Sequence, residues 1–277
     1  FTKMHGCGND YIYVNGFEEK VSDKSKAAIT LSDRHFGIGS DGIIFINPSD
    51  KADFEMEMYN ADGSRAEMCG NGIRCVAKYV YDKGLTDKTR IRVETLAGIK
   101  ELDLKVESGK VNGVTVNMGV PELSGAKIPS TFEGDKVINE ALTVGDKEYR
   151  VTLVNMGNPH AIVYMEDIDS LEIEKLGPLF ENHKVFPKRI NTEFVEVIDK
   201  TKVKMRVWER GAGETWACGT GASAVLVASV LNNKTERSAV VSLRGGDLSI
   251  TWDKDSGEVF MTGPAEIVFD GETTENF

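Results

Sequence analysis

No stretch of the 277 residues is apolar for long enough to form a membrane-spanning helix. Cysteine is scarce. Four in a chain of this length are too few for a disulfide framework, so reduced thiols in a reducing compartment are expected. No Cys-x-x-Cys pair occurs, and the spacing of Cys69 and Cys75 is not a usual zinc spacing, so no metal is expected. Basic residues are also in deficit: 33 Lys and Arg face 44 Asp and Glu, for a net charge of −11. That balance argues against a nucleic-acid partner, which needs clustered cations. The opening residues, Phe1 to His5, carry no secretion-signal pattern. The expectation is a cytoplasmic protein with neither membrane nor nucleic acid as partner.

What is present is ordinary for a globular chain: 40% hydrophobic and 28% charged residues, with enough length for a real core in one large domain or two. Less ordinary is an internal repeat. Met58 to Gly63, followed by Cys69-Gly70-Asn71-Gly72, matches Val207 to Ala212, followed by Cys218-Gly219-Thr220-Gly221, at a constant separation of 149 positions. Gly8-Asn9 maps onto Gly157-Asn158 at the same separation, and Gly98 onto Gly246 at 148. The chain therefore reads as two homologous halves. The first covers 1–118, with the C-terminal strand 264–277 added to it, and carries Cys69. The second covers 119–263 and carries Cys218.

Each half shows the same local pattern. Alternation of apolar and polar residues predicts strands at 54–60 and 202–209. A polar loop and Cys-Gly-x-Gly follow, and then a helix. In the first half Ile73, Val76, Ala77 and Val80 keep helical spacing, with Gly84 as the stop. In the second, 222–231 is apolar nearly all round, as in a fully buried helix. Shorter alternating runs lie at 91–95 and 240–243. The fold class is α+β: in each half, many strands around one buried helix.

Both repeated cysteines thus stand at a helix start. The first amides of a helix have no internal partner, and the dipole there is positive. The same place can bind a carboxylate and favour a thiolate, so a lowered thiol pKa is expected. Two such sites in homologous halves suggest a pseudo-twofold arrangement with the thiols on opposite sides of a cleft. Inversion of a carbon needs that pairing, with one thiolate removing a proton and the opposing thiol returning one. A lone cysteine more often simply packs. That is the reading for Cys7 and Cys75, whose repeat equivalents are Met156 and Ala224. His5, His35 and His183 are read as surface or packing residues. For His160, a turn role and a thiol-tuning role weigh equally.

At these residues the chain resembles the diaminopimelate epimerases. The resemblance rests on His5-Gly6-Cys7-Gly8-Asn9-Asp10, Tyr59 to Ser64, Met68 to Cys75, Met156 to His160, and Glu209 to Ala222, and it runs from residue 1 to about residue 271. It implies two barrel-like halves, each a strongly curved sheet wrapped on a central helix. It implies interconversion of LL- and meso-diaminopimelate, on the route to lysine and peptidoglycan, with no pyridoxal phosphate or other cofactor and no metal. By the same resemblance Cys69 and Cys218 are the acid/base thiols, adjusted by His160 and Glu209. Gly70, Asn71, Gly219 and Thr220 offer amides to the reacting carboxylate. Asn9, Asn60, Asn158, Asn191, Glu209 and Arg210 hold the substrate. Gly42 stands where some relatives carry a substrate-contacting Gln. Phe269 replaces a Tyr of the homodimer interface, so a homodimer is expected.

Three other readings compete. A proline racemase-like enzyme would share the cysteine pair, but proline has no distal zwitterion for Asn60, Asn191 and Arg210 to hold. A thiol redox sensor would join Cys69 to Cys218. A duplicated binding protein would do no chemistry.

Overall fold

The computed structural model describes residues 1–125, 127–275 and 277. It divides the chain into two compact units. One consists of Phe1–Val116 and Thr262–Phe277, the other of Asn117–Met261. The helices are α1 (Lys24–Ser32), α2 (Gly70–Asp82), α3 (Ile173–Glu181) and α4 (Gly219–Leu231).

In the first unit strand Thr2–Gly6 pairs antiparallel with both Asn9–Asn15 and Glu266–Asp270. The order then runs through Gly42–Asn47, Phe54–Asn60, Arg90–Thr95 and Gly98–Glu107, with parallel, antiparallel, parallel and antiparallel pairings in turn. The second unit repeats this succession through Lys147–Asn155, Pro159–Tyr164, Asn191–Asp199, Lys202–Glu209, Ser238–Leu243 and Gly246–Trp252.

The registers repeat as well as the order. Ile12 pairs with Ile43 and Ile43 with Tyr59, while Ala161 pairs with Thr192 and Thr192 with Trp208. Every one of these residues is displaced by the 149 positions found in the sequence. Phe54 pairs with Val93 and Val203 with Val241, so the shift to 148 falls between each helix and the strand after it. A repeated register means that equivalent side chains point to equivalent faces, because the pleat alternates with period two.

The central helices differ in how they are buried. α4 is apolar around its whole circumference, with Ala222, Ala224, Val225, Leu226, Val227 and Ala228 all buried. α2 instead buries Arg74 and Lys78. Arg74 is satisfied by fixed acceptors: it donates to the carbonyls of Gly70 (3.0 Å) and Pro264 (3.1 Å) and to Oδ1 of Asn71 (2.8 Å). Lys78 donates to the carbonyl of Val111 at 2.5 Å and pairs with Asp82 at 3.0 Å. Both helices close as the sequence suggests. The α2 cap at Lys83 is followed by Gly84 at φ +77°, a left-handed position suited to glycine.

The outer faces are covered by the remaining helices. α1 packs with Ile12, Ile43 and Phe45. The second unit's largest apolar cluster joins Ile173 and Phe180 of α3 to Leu153, Ala161, Val163 and Phe194. Strands Pro159–Tyr164 and Asn191–Asp199 are therefore covered on both faces, which explains their unbroken burial over 159–163 and 191–195.

Removing the Arg74 guanidinium leaves several buried acceptors unpaired at once. Arg74→Leu is expected to lower stability by about 2–4 kcal/mol, measured as a reduced urea midpoint with an unchanged slope.

Candidate active site

Cys69 and Cys218 are the N-cap residues of α2 and α4, with nearly the same backbone angles. Each sulfur accepts the amide three positions on: Gly72 at 3.3 Å and Gly221 at 3.4 Å. A side chain at either position would displace a buried neighbour. A Cβ on Gly72 would stand 2.7 Å from Cδ1 of Ile44, and one on Gly221 would stand 2.6 Å from Oε1 of Glu193. The amides of Gly70, Asn71, Gly219 and Thr220 precede the first intrahelical bond, so no carbonyl of their own helix can serve them. They are the groups that could receive a carboxylate.

The first unit surrounds its cysteine with amide and phenol groups. Cys69 donates its S–H to Oδ1 of Asn9 at 3.1 Å. Asn9 can accept because its Nδ2 is committed to Asp41, at 2.7 Å. Asp41 also accepts the amide of Asp10 and a bond from Arg34. Asp41 thus fixes which end of the amide faces the sulfur, and Cys69 is a protonated thiol in this arrangement. Tyr11 is buried nearby; burial first, then the charge that would form on Cys69, raises its phenol well above its usual range. Asn71 turns its oxygen to Arg74, and Asn60 donates to Ser64 at 3.0 Å.

The second unit surrounds its cysteine with titratable groups. His160, Glu193 and Glu209 come from three adjacent strands. His160 and Glu193 are fully buried. The imidazole Nδ1 lies 2.6 Å from Oε1 of Glu193, and Nε2 lies 2.9 Å from Oδ1 of Asn158. Glu209 accepts from Thr215 and interacts electrostatically with Cys218, whose sulfur lies 3.4 Å from Oγ1 of Thr220. Burial raises its carboxyl above the ordinary range. The Cys218 thiol goes well above its ordinary range, through burial first and then the carboxylates of Glu209 and Glu193. The lowered pKa expected at a helix start is thus reversed here: desolvation and two neighbouring anions outweigh the helix amides.

The other candidates are placed less directly. Asn191 is buried with both ends of its amide engaged, donating to the carbonyl of Pro159 (2.8 Å) and accepting the amide of Arg210 (2.9 Å). Arg210 is exposed and donates to the carbonyl of Lys188. Gly42 has no room for a side chain, because a Cβ would lie 2.1 Å from the carbonyl oxygen of Tyr59. Cys7 and Cys75 are buried, and burial pushes the Cys75 thiol up to about 12. Among the described residues no group of three or more His, Cys, Asp or Glu side chains could hold a metal ion.

Two contributors were not anticipated, Asp41 and Glu193. The repeat itself carried a sign of the second. Position 193 corresponds to Ile44, so a carboxylate stands where the other half has a buried aliphatic residue.

Among solved structures the fold is similar to that of enzymes working on small molecules. One is a phenazine biosynthesis protein of the PhzF family from Bacillus anthracis, with a TM-score of 0.70 at 17% identity, covering 97% of this chain and 96% of that one. Another is a probable proline racemase from Agrobacterium radiobacter, with a TM-score of 0.69 at 15% identity, covering 99% and 92%. The fold class is the two-domain, barrel-like α+β architecture of racemases and isomerases. Within that class the sequence is more specific. The profile of the diaminopimelate epimerase family matches residues 1–124 and 152–268. The diaminopimelate epimerase of Agathobacter rectalis is 61% identical over 279 aligned positions, covering 98% of each chain. That of Acetivibrio thermocellus is 60% identical, covering 100% of this chain and 99% of its own. The chain belongs to the diaminopimelate epimerase family.

The charge around Cys218 gives a direct test. Glu209→Gln removes one anion that disfavours the thiolate, so Cys218 should ionise at lower pH. The profile of its alkylation rate against pH, followed by peptide mass spectrometry, is expected to move to lower pH in the variant. Cys75 should stay unmodified in both folded proteins.

Proposed function

We propose that the protein interconverts LL- and meso-diaminopimelate by a two-thiol mechanism that needs no pyridoxal phosphate. The observation that carries this reading is the duplicated cysteine N-cap. Each half of the chain sets a sulfur and a pair of carboxylate-seeking amides at the start of its central helix. The membership of the family supplies the substrate.

In this reading a thiolate on one face removes the α-proton as the thiol on the other face delivers one, so the substrate's proton count is unchanged. The reacting carboxylate takes the amides of Gly70, Asn71, Gly219 and Thr220, which offset the negative charge that builds next to the carbanion. Cys218 has a built-in acceptor. Glu209, with its carboxyl raised by burial, can take the thiol proton and return it. His160 is the second group able to adjust that thiol. Cys69 must give up its bond to Asn9 to become the base, because a thiolate has no proton to donate.

Asn9, Asn60, Asn158, Asn191 and Arg210 are assigned to substrate recognition. The substrate carries two carboxylates and two ammonium groups. Amides can both donate and accept, and a guanidinium suits a carboxylate. Arg210 is exposed and held only through a backbone carbonyl, which supports its freedom to turn to a ligand. We further assign the protein to lysine and peptidoglycan-precursor synthesis in the cytoplasm, as a homodimer. Among the described residues no helix is long and apolar enough to cross a membrane. Val268 and Phe269, adjacent on the last strand, are about half exposed on opposite faces, and Phe269 meets the ring of Phe1 edge-on at 6.0 Å. Two open apolar faces at a strand end suit a second copy.

The deciding experiment is incubation with LL-diaminopimelate in D2O without added cofactor. Deuterium is expected at one α-carbon only, with conversion to the meso isomer. Cys69→Ala and Cys218→Ala should each abolish conversion, whereas Cys7→Ala should retain it. Label at both centres, or a requirement for pyridoxal phosphate, would defeat the two-thiol reading.

A further inference from the structure

Glu193 has no role in the scheme so far, yet it is among the most costly residues in the second unit. Its side chain is fully buried, and among the described residues its Oε2 has no hydrogen-bond partner. Its Oε1 faces Nδ1 of His160 at 2.6 Å. A buried carboxylate with one oxygen unpaired is costly, so its presence calls for a reason beyond packing.

The internal repeat shows that packing is not the reason. Residue 193 corresponds to Ile44, His160 to Tyr11 and Gly221 to Gly72, all at 149 positions. The strand registers preserve the correspondence. Ile44 is fully buried and sits under Gly72 just as Glu193 sits under Gly221: the missing Cβ of each glycine would fall 2.7 Å and 2.6 Å from them. One architecture therefore accepts an aliphatic side chain at this position in one half and holds a carboxylate in the other. What accompanies the carboxylate is an imidazole in place of a phenol.

We propose that Glu193 is a positioning residue for His160, its Oε1 accepting the Nδ1 proton and thereby fixing the ring and its tautomer, so that Nε2 is the acceptor and the Asn158 amide turns its Nδ2–H toward it. This rests on the two-thiol reading for its catalytic meaning. Strand pleating makes the geometry stiff. His160 pairs with Asn191 across the parallel ladder, so Glu193 lies on the same face two residues on. The ring is then held at both nitrogens, by Glu193 and by Asn158. A partner that sets which nitrogen is protonated is a common device where a histidine must exchange protons on one side only.

The test uses Glu193→Gln and Glu193→Ile, the second copying the first half of the chain. The probe is ¹⁵N-detected NMR of the His160 ring in the full-length protein, alongside epimerase kinetics and thermal unfolding. The wild-type ring should carry its proton on Nδ1. Glu193→Gln should keep that proton, because the amide oxygen can accept it, but its resonance should move upfield as the charge-assisted bond is lost. Glu193→Ile should lose the Nδ1 preference. Its kcat should fall roughly 10- to 100-fold, with KM little changed and partial recovery in Glu193→Gln. The proposal is overturned if the Nδ1 proton persists unchanged in Glu193→Ile, or if its resonance does not move in Glu193→Gln. It is also overturned if the loss appears only as a lower melting temperature. Absence of epimerase activity in the wild type would refute the two-thiol reading instead, and the ring spectra would still decide the role of Glu193.

Discussion

A helix enclosed by strands has a difficulty at its N-terminus: several amides lack partners inside the helix, and enclosure keeps water from serving them all. Here each central helix answers with a cysteine. The sulfur takes the amide of the third helical residue. Much else follows from that arrangement. Glycine suits the third position, because a Cβ there would press on a buried side chain of the strand beneath. A strand must deliver the polar groups that meet the sulfur. The sulfur and the helix-start amides are then parts of one turn, so they cannot drift apart without unwinding the helix.

Duplication sets two such turns in identical frames, and the frames make the differences readable. Around Cys69 the equivalent positions are Tyr11, Ile44 and Asn60; around Cys218 they are His160, Glu193 and Glu209. One thiol directs its proton at an amide whose orientation Asp41 fixes. The other sits among two carboxylates and an imidazole and is held firmly as a thiol. The two sulfurs share a backbone frame, and the electrostatics around them are quite unlike.

The sequence made the frame legible because register is a property of spacing. The separation of 149 positions located both helix starts, both strands before them and the slip to 148, and the ladder pairings follow those numbers residue by residue. Family likeness supplied the chemistry of the cysteines, and their neighbours in the chain supplied the caps. What remained hidden depended on the third dimension. Asp41 matters only because strand pairing carries it to Asn9, 32 residues away. The engagement of the Asn191 amide by backbone at both ends, by Pro159 and Arg210, likewise appears only in the fold. The direction of the Cys218 shift was also out of reach: a helix start predicts a lower value, and only the packing of Glu193 and Glu209 around it reveals the opposite.

The division of the chain has a consequence for how it comes into being. The second unit is a single continuous segment, whereas the first is completed by Glu266–Asp270, which pairs with Thr2–Gly6 at the far end of the chain. During synthesis the half that begins first must wait with an unpaired edge until Glu266–Asp270 has been made. The half that begins second has all its strands before then. Such a waiting edge is a place where strands of other chains can pair by mistake. Thr2–Gly6 is thus the segment most exposed to misassembly in the newborn protein, although it is among the most buried in the finished one.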